Sequence, residues 1–145
     1  MPANRQIVRI LKKLFNLEVM AVQIYGNQLG AMTEAGERSM MLAAMENEEH
    51  HRDTFRSLLQ ARNVAPSPLH ALYWVVGQTL GRTTSLFGRK AVLRGDIAFE
   101  DKASREYAEF LRKEKNFTEE EKAFIGEFLE DEKRHSANWR RLLTE

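Results

Sequence analysis

Four long stretches of this 145-residue chain carry apolar residues at helical steps, and each stretch is broken at one level by a carboxylate. That pattern constrains the fold more than any other property of the sequence. The first stretch, helix A from about Asn4 to Glu34, places Ile7, Leu11, Leu14, Ala21, Tyr25 and Met32 at steps of three, four or seven. Gly36 reads as its stop signal. Helix B, Glu37 to Asn63, carries Met41, Ala44, Phe55 and Leu58, and Pro66 and Pro68 end it. A short apolar helix C covers Leu69–Leu80. Thr83, Thr84 and Ser85 offer an N-cap for helix D, which runs to Glu114 with Leu93, Ile97, Tyr107 and Leu111 inward. Asn116 and Phe117 turn the chain. Thr118 and Glu121 have the spacing of a capping box, opening helix E with Ile125, Phe128, Trp139 and Leu142 on one face.

The interruptions are Glu18 on helix A, Glu48 and His51 on B, Glu100 on D, and Glu132 and His135 on E. Each keeps the spacing of the seam and is the wrong type for a core. A buried carboxylate costs several kcal/mol unless it is paired or binds a metal. Antiparallel neighbours place residues equidistant from their turn side by side. The midpoint of Glu18 and His51 falls at the A–B turn, and that of Glu100 and Glu132 at Asn116 in the D–E turn. The halves repeat: each supplies one lone Glu, one Glu-x-x-His, and a tyrosine seven residues after the lone Glu, Tyr25 and Tyr107. Two Glu-x-x-His motifs among so many glutamates are a modest coincidence by themselves. The shared seam position, level and spacing make the set a candidate metal site.

Other chemistry is excluded. The chain has no cysteine, so it has no disulfide, no thiolate zinc site, no iron–sulfur cluster and no thiolate electron relay of its own. A net charge of +1 gives no electrostatic footprint for nucleic acid. No window reaches the apolar length of a spanning helix. The basic start reads as the opening of an amphipathic helix rather than a secretory signal. One domain, 1–145, is expected. Glu46, Glu49, Glu127, Glu130, His50, His70 and the run Glu119–Glu121 read as solvated surface.

The six residues resemble the di-iron or di-manganese site of ferritin-like four-helix bundles. Residues three apart share a helix face, so Glu and His of one motif can bind one ion. Four carboxylates balance two divalent cations, and the two lone Glu can bridge them. Carboxylate and imidazole suit iron, with manganese or zinc as substitutes. Asp131-Glu-Lys-Arg-His135 resembles the fuller di-iron signature. By that resemblance Asp131 accepts a hydrogen bond from His51, and Asn47, at the matching position, does the same for His135. Tyr25 and Tyr107 read as packed core, with a hydrogen bond to a ligand carboxylate as the functional alternative.

From Ile7 to His135 the chain resembles the demethoxyubiquinone hydroxylases, di-iron monooxygenases of ubiquinone biosynthesis. The resemblance rests on Glu18 with Ile24-Tyr25-Gly26-Asn27-Gln28, on Glu48-Glu-His-His51 with Phe55, and on Pro66, Trp74, Gly77, Gly81, Leu86 and Gly88. Glu100, Glu132 and His135 complete it. The chain departs from the family at Leu14–Leu17, and after Glu100, where Asp101 and Arg105-Glu106-Tyr107 stand. The resemblance implies two bound irons, O₂ and a small hydrophobic quinone-like substrate, with an external electron donor. In the family the apolar helix meets a membrane surface, so Leu69–Leu80 is expected either to make a peripheral membrane contact or simply to cover the bundle. The location expected is cytoplasmic or at the inner membrane face, and the sequence leaves room for a homo-oligomer without requiring one. The alternatives are a ferritin- or rubrerythrin-like ferroxidase or peroxidase, and a non-catalytic metal-stabilised bundle. A closed polar site with an extra carboxylate such as Glu106 would favour the ferroxidase.

Overall fold

Apolar periodicity of the helical kind yields helices throughout. The computed structural model describes residues 2–145, with side chains from Arg5 onward. It contains α1 (Pro2–Gln28), a 3₁₀ turn (Leu29–Ala31), α2 (Ala35–Gln60), α3 (His70–Leu86), α4 (Arg89–Lys113) and α5 (Glu119–Thr144). Among the described residues there is no strand, so the protein is all-α, as expected of a ferritin-like chain. The chain divides into two compact units. One is Leu11–Val92; the other joins the first turns of α1, through Ile10, to Leu93–Glu145.

In the first unit, α1 and α2 form a hairpin. The expected stop at Gly36 lies inside the next helix instead. The α-helix of α1 ends at Gln28, and the Leu29 carbonyl is taken by Arg38 Nη1 at 2.8 Å. Glu34 is the N-cap of α2: its carboxylate accepts from Gly36 N at 3.0 Å and Glu37 N at 2.7 Å. At Gly36 an added Cβ would stand 3.1 Å from Glu34 Oε2, so the small residue makes room for the cap. The inner face of α2 holds Met41, Ala44, Phe55 and Leu59; the expected Leu58 is only half-buried. Asn63, at φ 57°, closes the end of α2.

Helix α3 is longer than expected and packs on α1 through two glycines. A Cβ on Gly77 would stand 2.6 Å from the Met20 carbonyl oxygen, and one on Gly81 2.7 Å from that of Ile24. The backbones therefore meet directly, and much of the bulky side-chain surface of α3 stays outside the contact. Leu72, Trp74, Val75, Leu80, Leu86 and Phe87 are exposed. Thr84 and Ser85 do not cap α4. Their hydroxyls donate backward, to Leu80 O and Gly81 O, each at 2.8 Å, and Ser85 Oγ also lies 2.9 Å from Asn27 O, so they serve α3 and its contact with α1. The break comes at Gly88, whose φ of +91° suits glycine.

In the second unit, α4 and α5 form the other hairpin. The capping box is present: Glu121 N donates to Thr118 Oγ1 at 3.1 Å, and Thr118 N to Glu121 Oε2 at 3.0 Å. That work buries Glu121 at 2% exposure, against the expectation that Glu119–Glu121 is all solvated. Ile125, Phe128, Trp139 and Leu142 are buried on α5 as the periodicity requires. On α4, Leu93 and Tyr107 are buried, while Ile97 and Leu111 are half-buried.

Candidate metal centre

All six seam-breaking residues are buried: Glu48, His51, Glu100 and Glu132 have no exposed surface, and Glu18 and His135 very little. In the α1–α2 hairpin, His51 Nδ1 lies 3.1 Å from Glu48 Oε2 and 3.7 Å from Glu18 Oε2. Glu48 reaches the imidazole from three residues earlier on the same helix. Glu18 reaches it across the hairpin, at the level fixed by the turn around Glu34. In the α4–α5 hairpin, His135 Nδ1 lies 3.5 Å from Glu100 Oε1. Glu132 is on the same face of α5, one turn before His135.

Within each hairpin the three residues offer ligand atoms all within 4.8 Å of one another. Two donors bound to one ion at ~2.1 Å stand about 3.0–3.4 Å apart, depending on geometry. The nitrogen–oxygen separations of 3.1, 3.5 and 3.7 Å lie close to that range. Oxygen and imidazole donors held at that spacing, away from water, can hold a metal ion. A hard-to-borderline divalent ion suits them.

The neighbouring residues are placed as follows. Asp131 is nearly buried and accepts from Arg134 Nη2, three residues on. Asn47 is half-buried, and its Oδ1 is shielded from water with no hydrogen-bond partner. Tyr25 and Tyr107 are fully buried, one in each hairpin. His50 and His70 are exposed, as the seam pattern implies. Glu106, 41% exposed, lies 3.9 Å from Lys102 on the same helix and adds no carboxylate to the buried layer.

Sequence reasoning missed Asp96. It is 1% exposed and lies one turn before Glu100, on the same face of α4. The signal was its four-residue spacing to Glu100; the apolar Ile97 beside it drew the seam instead. Asn16 and Gln28 were also missed. Both are buried on α1, and Gln28 Nε2 donates to Thr84 Oγ1 at 2.8 Å, tying α1 to α3.

The residues following Glu100 and His135 build a second network in the α4–α5 hairpin. Asp101, after Glu100, accepts from Ser136 Oγ at 2.6 Å, and Ser136 follows His135. Arg140 donates to both carboxylate oxygens of Asp101, and to Ser136 as well. The Arg140 guanidinium, with the Ser136 hydroxyl behind it, holds the Asp101 carboxyl below its ordinary range. Asp101 in turn raises Arg140. This departure from the family's pattern is thus a clasp between α4 and α5, just beside the ligand level.

Comparison with known proteins agrees with this geometry. The model of the family "Ubiquinone biosynthesis protein COQ7" matches residues 7–141. The chain is 29% identical over 136 residues to the NADPH-dependent 3-demethoxyubiquinone 3-hydroxylase, mitochondrial, of Dictyostelium discoideum, covering 91% of this chain and 63% of that protein. It is 28% identical over 137 residues to the Bos taurus protein of the same name, with the same coverage. To the 3-demethoxyubiquinol 3-hydroxylase of Rhodospirillum rubrum it is 34% identical over 91 residues, 60% of this chain and 42% of that protein. The chain therefore spans about 63% of the length of the first two relatives. With a match running over nearly its whole length, and with both buried Glu-x-x-His motifs inside that match, this chain belongs to the ubiquinone biosynthesis protein COQ7 family.

Proposed function

We propose that this chain is a di-iron hydroxylase acting on the ring of a quinol or a related aromatic substrate. The observation that carries the reading is the pair of buried triads, Glu18/Glu48/His51 and Glu100/Glu132/His135, each with its donors within 4.8 Å. In this reading the six residues form one centre in a single 1–145 domain. Glu48 with His51, and Glu132 with His135, would each hold one iron, and Glu18 and Glu100 would serve both. Iron held there would supply the activation of O₂, one atom entering a ring C–H bond and the other leaving as water with two electrons and two protons. With no cysteine relay of its own, the chain would take the two electrons from an external donor or from the substrate itself.

The residues around the ligands have definite tasks in this scheme. Asp131 would fix the ring of His51 and Asn47 that of His135, each accepting the N–H that the metal-facing nitrogen does not use. The unpartnered Asn47 Oδ1 supports this role. Tyr25 and Tyr107 would hold the layer dry and supply a hydroxyl to a ligand carboxylate. The exposed apolar side of α3, from Leu69 to Leu80, would rest on a membrane surface and take up a greasy substrate there. No helix among the described residues is long and apolar enough to cross a membrane.

The test is to load the protein with ferrous iron without oxygen, count the metal, then admit O₂ with and without a short-chain quinol analogue. About two irons per chain and a product heavier by one oxygen are expected. Rapid iron oxidation that ignores the quinol and leaves it unmodified would instead identify a ferroxidase. Glu106, at the surface, does not supply the additional carboxylate that alternative would use; the buried Asp96, one turn before Glu100, is the residue that would.

A further inference from the structure

Between Asp53 and Asp96 the chain has no acidic residue, yet it carries Arg56, Arg62, Arg82, Arg89, Lys90 and Arg94. The whole chain is close to neutral, at +1, so this stretch and the equally acid-free start before Glu18, with Arg5, Arg9, Lys12 and Lys13, hold its excess of positive charge. The same stretch contains α3 with its exposed leucines, valines and Trp74. A cavity of about 350 Å³ lies where α3 meets α1 and α2. Its lining includes Phe15, Val19 and Trp74 as apolar walls, with Arg52, Arg56 and His70 as polar groups.

The cationic end of this cavity is built rather than incidental. The Arg56 guanidinium lies 5.5 Å over the Phe15 ring, a cation–π arrangement that holds its plane. The His70 ring meets Phe15 edge-on at 6.3 Å, and its Nδ1 is fixed by the Ser67 carbonyl at 2.7 Å. Both arginines lean on one carboxylate: Asp53 Oδ1 accepts from Arg52 Nε at 3.0 Å and from Arg56 Nη1 at 3.2 Å. One half-exposed negative charge thus faces two positive ones. Each guanidinium has five N–H donors and spends one on Asp53. What remains is a two-pronged donor set for an oxyanion, opening beside an apolar helix face.

We propose that this cavity is a headgroup site for an anionic phospholipid. The lipid phosphate would sit between Arg52 and Arg56, and the acyl chains would run along the exposed side of α3, with Trp74 at the boundary. The inference rests on the membrane contact proposed above and adds to it a selectivity for negatively charged lipid. A diffuse positive field would attract any anionic surface; a fork of two arginines beside an aromatic wall makes the interaction local to two residues.

The experiment measures co-sedimentation of the full chain with vesicles of phosphatidylcholine alone and with about one third phosphatidylglycerol. Wild type is compared with Arg52→Gln/Arg56→Gln, and with Arg82→Gln/Lys90→Gln, which removes the same charge outside the cavity. Far-ultraviolet circular dichroism checks that each variant is folded. Wild type should bind the anionic vesicles at least about fivefold more tightly than neutral ones. The cavity variant should lose that preference while keeping its binding to neutral vesicles, and the outer variant should keep most of it. Equal losses in the two variants would overturn the proposal in favour of a diffuse field. So would equal binding of wild type to both vesicle types, which would leave the membrane contact standing. Binding to neither vesicle would remove the membrane contact itself and the headgroup site with it. Full competition by millimolar inorganic phosphate would show that the oxyanion is recognised without the lipid, and would likewise overturn it.

Discussion

Gly81 of α3 lies so close to Ile24 of α1 that an added Cβ would stand 2.7 Å from the Ile24 carbonyl oxygen. The atom in the way is backbone, which cannot swing aside as a side chain can. Gly81→Ala should therefore push α3 off α1 and cost about 1–3 kcal/mol. Gly77→Ala, which meets the Met20 carbonyl at 2.6 Å, should behave alike. Gly126→Ala, with nothing within 4 Å, is the control and should be neutral or slightly stabilising. Urea denaturation of the three variants checks this.

Glu100→Ala should abolish iron binding at the level of stoichiometry, from about two ions per chain to fewer than one. The residue is fully buried and lies 3.5 Å from His135. Metal content by elemental analysis decides the matter, since full retention would remove Glu100 from the ligand set. The surface variant Glu127→Ala should retain both ions.

Glu37 and Arg89 make a pH-dependent contribution to the first unit. The guanidinium donates through Nε and Nη2 to both carboxylate oxygens. Arg89 holds the Glu37 carboxyl below its ordinary value, with burial opposing it. A lowered carboxyl stabilises the folded chain above the unfolded pKa, and that gain disappears as pH falls through the folded one. After allowance for solvent around Arg89, the pair contributes about 0.5–1 kcal/mol at neutral pH. Glu37→Gln should lose that amount at pH 7 and nothing once the wild-type carboxyl is protonated. Thermal melts from pH 7 down through the acid range should show the two proteins converging.

The Asp101–Arg140 clasp should couple energetically. Asp101→Asn and Arg140→Gln, made singly and together, form a double-mutant cycle. Because Arg140 is half-exposed, the coupling expected is small but measurable, weaker than that of a buried pair. A coupling of zero would mean that the contact contributes only geometry.

Thr118→Ala removes one half of the capping box and should cost about 1 kcal/mol. Glu121→Ala should cost a similar amount, although it lies in a run of three glutamates that looks like simple surface charge. Unfolding midpoints of both variants, compared with Glu120→Ala, check the assignment.

Much of this was legible in the residues. Ile7, Leu11, Leu14, Tyr25, Phe128 and Trp139 are buried as their periodicity demands. The six candidate ligands stand out for the opposite reason, because they occupy the buried seam while being the wrong chemical type for it. What escaped was decided by local competition. Gly36 looks like a stop signal but serves a cap made by Glu34. Thr84 and Ser85 look like caps but turn their hydroxyls back into their own helix. Asp96 was hidden by an apolar neighbour one position away. Periodicity identifies a face; it does not say which of two adjacent residues takes the inward place.

The buried acids find a histidine within their own hairpin, Glu18 with His51 and Glu100 with His135. This has a consequence for a chain emerging from the ribosome. The first hairpin is complete before α4 has been made, and its two carboxylates already have an imidazole beside them. Their first contact does not depend on a segment some fifty residues downstream. Short-range pairing of the most costly groups shortens the loops that must close before those groups are compensated. The placement that suits the chemistry also keeps the first contacts of these acids local.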